Sequence, residues 1–137
     1  MVDIAQRIAG EKGLGNAHYS TATLFDAAFP RASFDVIYAF RVLHVLPDVQ
    51  ATLQQIHELL KHGGTFVSVT TCLGRWKFLF GGVVFLLRNT KIFPVPVQFF
   101  KLSQLEELMV AEGLTVINHE KMDDRVPTYC IVARKTR

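Results

Sequence analysis

Two side chains able to do chemistry stand where an apolar run stops: Arg41 and His44 in FDVIYAFRVLHVLPD, residues 34–48. An arginine at such a place could hold a carboxylate through paired hydrogen bonds. A histidine could accept, donate or carry a proton near neutral pH. Each has a plainer use, Arg41 in a surface ion pair worth little and His44 as a ring packed at a helix start. Asp26 and Asp35 suit turns better than catalysis. No Ser-His-Asp or Cys-His arrangement follows from spacing, no paired carboxylates stand out, and no catalytic base can be named. Cys72 and Cys130 are far apart and lack a C-x-x-C pattern, which points to reduced thiols in a cytoplasmic protein and to no metal site.

What positions Arg41 and His44 is the run before them. FDVIYAF is continuous, aromatic and β-branched, the pattern of a strand buried on both faces. Pro47 and Asp48 then open a helix in which Val49, Leu53, Ile56 and Leu60 form one buried stripe. KHGG ends it, with Lys61 suited to the negative helix end and Gly63 to a left-handed cap. TFVSVTTC follows as a second strand, so the unit reads as β-α-β with parallel strands. In an open α/β sheet, ligands bind beyond the carboxyl ends of the strands, which puts Arg41 and His44 at the functional end.

The flanks complete the domain. Val2, Ile4, Ala5, Ile8 and Ala9 share a helical face, and Gly13 with Gly15 stops that helix. NAHYSTATL, residues 16–24, has strand character. Trp76–Arg88 reads as a helix weakened by Gly81 and Gly82, and the proline-bearing KIFPVPVQFF as an apolar loop. Ser103 and Glu106 look like a capping box. LTVINHEKM and TYCIVARK read as an antiparallel hairpin. All 137 residues make one domain, with a net charge of +3 that gives little support for a nucleic-acid partner. The longest apolar run, residues 78–87, is too short for a bilayer span of ~20 residues, so no transmembrane segment is expected.

SFDVIYAFRVLHVLPDVQATLQQIHELLKHGGTFVSVTTCLG resembles the middle of a class I S-adenosylmethionine-dependent methyltransferase. The matching features are Phe34-Asp35 opening a strand, Leu43-His44 near its end, Asp48 opening a helix, and the turn Leu60-Lys61-His62-Gly63-Gly64, where His62 replaces the usual proline. ATLFDAAFPRASFD is similar to the segment that contacts adenine in that family, and FFKLSQLEELMVAEGLTVINHEK with YCIVARK to its last helix and closing hairpin. The resemblance implies an α/β, Rossmann-like fold with a mostly parallel sheet and a C-terminal antiparallel hairpin, lacking the family's first two strands. It implies S-adenosylmethionine as donor, with Thr23, Leu24, Phe25, Phe40, Arg41 and His44 as cofactor-binding candidates. Thr23 stands where many members have aspartate.

The family's Gly-rich loop and its ribose-binding acidic residue have no counterpart in the 137 residues, so the chain reads as truncated. The function implied is methyl transfer to a small, apolar acceptor, impaired or absent in this chain. Phe78, Phe80, Phe85, Phe93, Phe99 and Phe100 suggest the apolar acceptor, although they could equally fill the core. The alternative is a non-catalytic module that pairs through an exposed strand edge, as a homodimer. With its neighbours missing, FDVIYAF should become an edge, and NAHYSTATL or another chain should pair with it. A nicotinamide-dependent oxidoreductase fails for want of the Gly-rich turn.

Overall fold

The computed structural model describes residues 1–72, 98, 100–123 and 126–136. The expected helix over Trp76–Arg88 and most of the proline-bearing loop lie outside these residues. The elements are α1 (Val2–Glu11), β1 (Phe34–Phe40), a 3₁₀ turn (Leu43–Val45), α2 (Val49–Leu59), β2 (Leu60–Thr71), α3 (Leu102–Ala111), β3 (Leu114–Asp123) and β4 (Thr128–Lys135).

These four strands form one sheet in the order β1-β2-β4-β3. The β1–β2 pair is parallel, as the β-α-β reading requires, and β2–β4 and β4–β3 are antiparallel. The α/β, Rossmann-like class stands. Within the described residues the sheet is mixed rather than mostly parallel, because residues 16–24 supply no strand. That segment runs as irregular chain, held by Gln6 Nε2 donating to Tyr19 O at 3.3 Å and by Leu24 packed on the core. Without a ladder partner, a short polar stretch gains too little to order as a strand.

α2 and α3 cover one face of the sheet. Leu53, Ile56 and Leu60 from the α2 region, Phe66 from β2, Leu105 and Met109 from α3, and Ile131 with Ala133 from β4 make the core. Ser68 and Thr70 point into the same layer, fully buried, and their hydroxyls satisfy one another at 2.7 Å.

β1 departs from the strand expected to be buried on both faces. Ala39 is buried and Ile37 half-buried on the core side, whereas Val36, Tyr38 and Phe40 are 43%, 73% and 73% exposed. Residues 16–24 form no strand, so the outer edge of β1 takes no strand among the described residues.

α2 begins as expected: Asp48 Oδ1 accepts from Ala51 N at 2.9 Å. Its end differs. The helix stops at Leu59, and Lys61 turns away to grip Asp35 with Nζ–oxygen distances of 2.9 and 2.8 Å. Gly63 does adopt a left-handed φ of 77°, but inside the start of β2, where the β1–β2 register slips between Phe34 and Val36. The cation at the helix end is Lys135, whose Nζ donates to His57 O at 2.7 Å and Leu60 O at 2.9 Å. Ala32 N and Ser33 N donate to Glu58 O and Leu59 O at 2.9 and 3.0 Å, and Leu60 N donates to Ile56 O. Every carbonyl of the last turn is thus satisfied.

α3 starts two residues before the expected cap. Its N-cap is Lys101, whose N–H donates to Gln104 Oε1 at 3.1 Å. Ser103 sits inside the first turn, and Glu106 instead meets His119 Nδ1 at 2.7 Å.

Candidate active site

The carboxyl end of β1 is built in a few residues. Arg41 N continues the ladder by donating to Val69 O at 2.8 Å, and the chain then reverses with Arg41 at φ 54°. A left-handed conformation at a residue with a side chain costs about 1–2 kcal/mol, and such strain gathers at functional turns. Leu43 plugs the turn into the core at 1% exposure. That anchor leaves Phe40 and Arg41 on the surface and His44 half-buried beside them.

His44 is the unusual member. Its Nδ1 is buried and meets no hydrogen-bond partner among the described residues. Buried polar atoms nearly always find a partner, so this nitrogen is poised to take one. Burial, and then the neighbouring Arg41 charge, push the imidazole below its ordinary value of 6.5. The sign for stability follows. Near and below pH 6.5 the unfolded chain takes up a proton that the folded chain resists, so stability is full above that range. It falls as pH drops towards the folded value. Melts of the wild type and His44→Gln at about pH 7.5 and about pH 5.5 should therefore show a smaller acid loss in the variant. Equal losses would show that His44 is not the source.

A residue the sequence reading passed over holds this turn. Gln98 N donates to His44 O at 2.7 Å, and Gln98 Nε2 donates to Leu46 O and Pro47 O at 3.0 Å each. A lone amide inside the apolar stretch VPVQFF was the signal that could have marked it. At the end of β2, Cys72 N donates to Pro127 O at 2.8 Å. Burial, then the Glu106 charge, pushes its thiol up to about 11, which keeps it protonated near neutral pH.

The other candidates form a second group. Asp26 N donates to Thr23 O at 3.1 Å in a turn that leaves Thr23 and Phe25 on the surface, Phe25 at 59% exposure. Leu24 is half-buried against the same core cluster that takes Leu43 and Leu46. The structure therefore brings Phe40, Arg41 and His44 together at the carboxyl end of β1, and packs Leu24 of the Thr23–Phe25 group on the core cluster that also takes Leu43.

Comparison with known proteins identifies the fold. The chain matches the family model described as a methyltransferase domain over residues 1–119, and it belongs to that family. It is 33% identical over 69 residues to the uncharacterized methyltransferase YcgJ of Bacillus subtilis, a match spanning 50% of this chain and 27% of that protein. The YcgJ crystal structure superposes with a TM-score of 0.68 at 20% identity, covering 98% of this chain and 75% of that one. The [4+2]-cyclase SpnF gives a TM-score of 0.75 at 16% identity, over 98% and 62% of the two chains. A geranyl diphosphate C-methyltransferase from Streptomyces coelicolor, solved with geranyl diphosphate and S-adenosyl-L-homocysteine, gives 0.71 at 11%, over 98% and 60%. The fold is that of the Rossmann-like, class I methyltransferases. The sequence match spans about a quarter of YcgJ's length.

Proposed function

We propose that the chain is a single S-adenosylmethionine-dependent methyltransferase domain, whose donor lies across the carboxyl end of β1. The observation that carries this reading is the loop after β1, with a strained Arg41 and a partner-seeking His44 Nδ1, in a chain that matches the methyltransferase family over residues 1–119. Leu24, Phe25 and Phe40 would flank the adenine, and Arg41 would meet the methionine carboxylate. The donor supplies an electrophilic methyl group, and the protein's task is then mainly to position donor and acceptor. Catalytic residues are not assigned.

For the acceptor, the reading favours a small apolar molecule. The fold accommodates a prenyl chain in the geranyl diphosphate enzyme, which supports that class. Phe100, the described member of the six phenylalanines first considered, belongs to the core, so it does not line an acceptor pocket. Calorimetric titration with S-adenosylhomocysteine tests the donor site. Saturable heat, abolished by replacing Phe25 and Phe40 with serine, is the expected result. No heat from demonstrably folded protein would leave the fold without a donor site.

A second reading rests on β1 itself. Val36, Tyr38 and Phe40 are exposed along a strand whose outer edge is unpaired among the described residues, and such edges recruit further strands. A non-catalytic module pairing through this edge as a homodimer would sediment as a dimer, and a proline at Tyr38 would return it to a monomer.

A further inference from the structure

We infer that Gln98 is a positioning residue, which clamps the turn after β1 so that His44 presents its buried Nδ1 to a bound ligand. The inference rests on the reading that the donor lies at this end of the sheet. Three hydrogen bonds from Gln98 converge on three carbonyls of one turn, His44 O, Leu46 O and Pro47 O. Leu46 and Pro47 lie between the 3₁₀ turn, which ends at Val45, and α2, which begins at Val49, so their carbonyls belong to neither element. One amide therefore serves two backbone acceptors that would otherwise seek water, and its own backbone N–H serves a third.

The placement has a chemical consequence. Leu43 anchors one side of the turn in the core, and Asp48 fixes the other as the α2 cap. His44 lies between these anchors, and the Gln98 bond to its carbonyl adds to the 3₁₀ bond from Val45 N to Val42 O in fixing the peptide that carries the ring. Held so, Nδ1 stays out of water without a partner among the described residues, ready to accept from a ligand hydroxyl or amine. Released, the ring can turn outward and hydrate. Lys135 shows in this same chain that an ammonium can serve two carbonyls at once, at 2.7 and 2.9 Å. A lysine at position 98 should therefore keep the clamp, whereas an isosteric methionine cannot.

The test uses Gln98→Met and Gln98→Lys in the full chain, with nitrogen-15 spectra of the histidine rings assigned by difference against His44→Gln. In Gln98→Met the His44 ring should titrate closer to its ordinary value than in the wild type, with S-adenosylhomocysteine binding about tenfold weaker. Gln98→Lys should restore the wild-type ring signals and binding. If Gln98→Met does not fold, Gln98→Asn, which withdraws the amide by one methylene, carries the same expectation. Unchanged His44 titration in a folded Gln98→Met or Gln98→Asn protein overturns the inference, whatever happens to the melting temperature. Should the wild type bind no S-adenosylhomocysteine, the donor reading fails, and the ring titration still decides the role of Gln98.

Discussion

Truncating Phe66 to alanine should cost about 3–5 kcal/mol of stability, enough to unfold much of the protein near body temperature. Phe66 is fully buried at the middle of β2, level with Ile37 on one neighbouring strand and Ala133 on the other. Ala133 is small, and the phenyl ring supplies the volume that lets α2 and α3 close over the sheet. Removing it opens a cavity between Leu53, Ile56, Met109 and Ile131, which belong to the same core cluster. Urea denaturation measures the effect as a shift in midpoint at constant slope. Phe66→Leu should lose much less, because most of the volume remains. A loss below about 1 kcal/mol for the alanine variant would mean the core collapses around the gap, contrary to the packing described.

Gly64→Ala is the second large effect, and its cause is backbone crowding. A Cβ at residue 64 would sit 2.8 Å from Lys61 O, 3.2 Å from Asp35 O and 3.2 Å from Leu60 Cδ2. Two of these neighbours are main-chain carbonyls that cannot swing aside, so the cost should fall at the upper end of about 1–3 kcal/mol for overpacking. Gly63 next to it faces open space but holds φ 77°, so Gly63→Ala should cost only the left-handed penalty of about 1–2 kcal/mol. Thermal melts of the two variants should rank Gly64→Ala below Gly63→Ala. The reverse order would place the tighter constraint on the φ angle rather than on the approach of β1 to β2.

The sequence disclosed the periodic elements well. The stripe of α2, the parallel partner strands and the closing hairpin all came from hydrophobic spacing, and the structure keeps them because one buried face dominates their energetics. What failed was decided by partners distant in sequence. NAHYSTATL carries strand-like residues but has no neighbour to pair with, and β1 reads as doubly buried only if both its faces are assumed covered. The Ser103 and Glu106 cap looked sound locally, yet Gln104 serves the helix start and Glu106 turns to His119 on β3. Within the candidate site, Arg41 and His44 were legible because the sheet's carboxyl end can be located from the strand pattern. Gln98 was not, since its meaning comes from carbonyls more than fifty residues earlier.

The end of α2 ties the order of folding to the far end of the chain. Its terminal carbonyls are met by backbone from residues 32 and 33 and by Lys135, which lies 78 residues beyond His57. A helix of 11 residues is marginal in water by itself. Early in folding α2 can therefore only flicker, and it becomes persistent once β4 has docked and delivered its lysine. In native-state hydrogen exchange, the last turn of α2 should open together with β4 as one unit, at the same free energy and with the same response to denaturant. The loop that carries His44 enters that helix directly, so its shape is inherited from the most long-range step in the assembly of the domain.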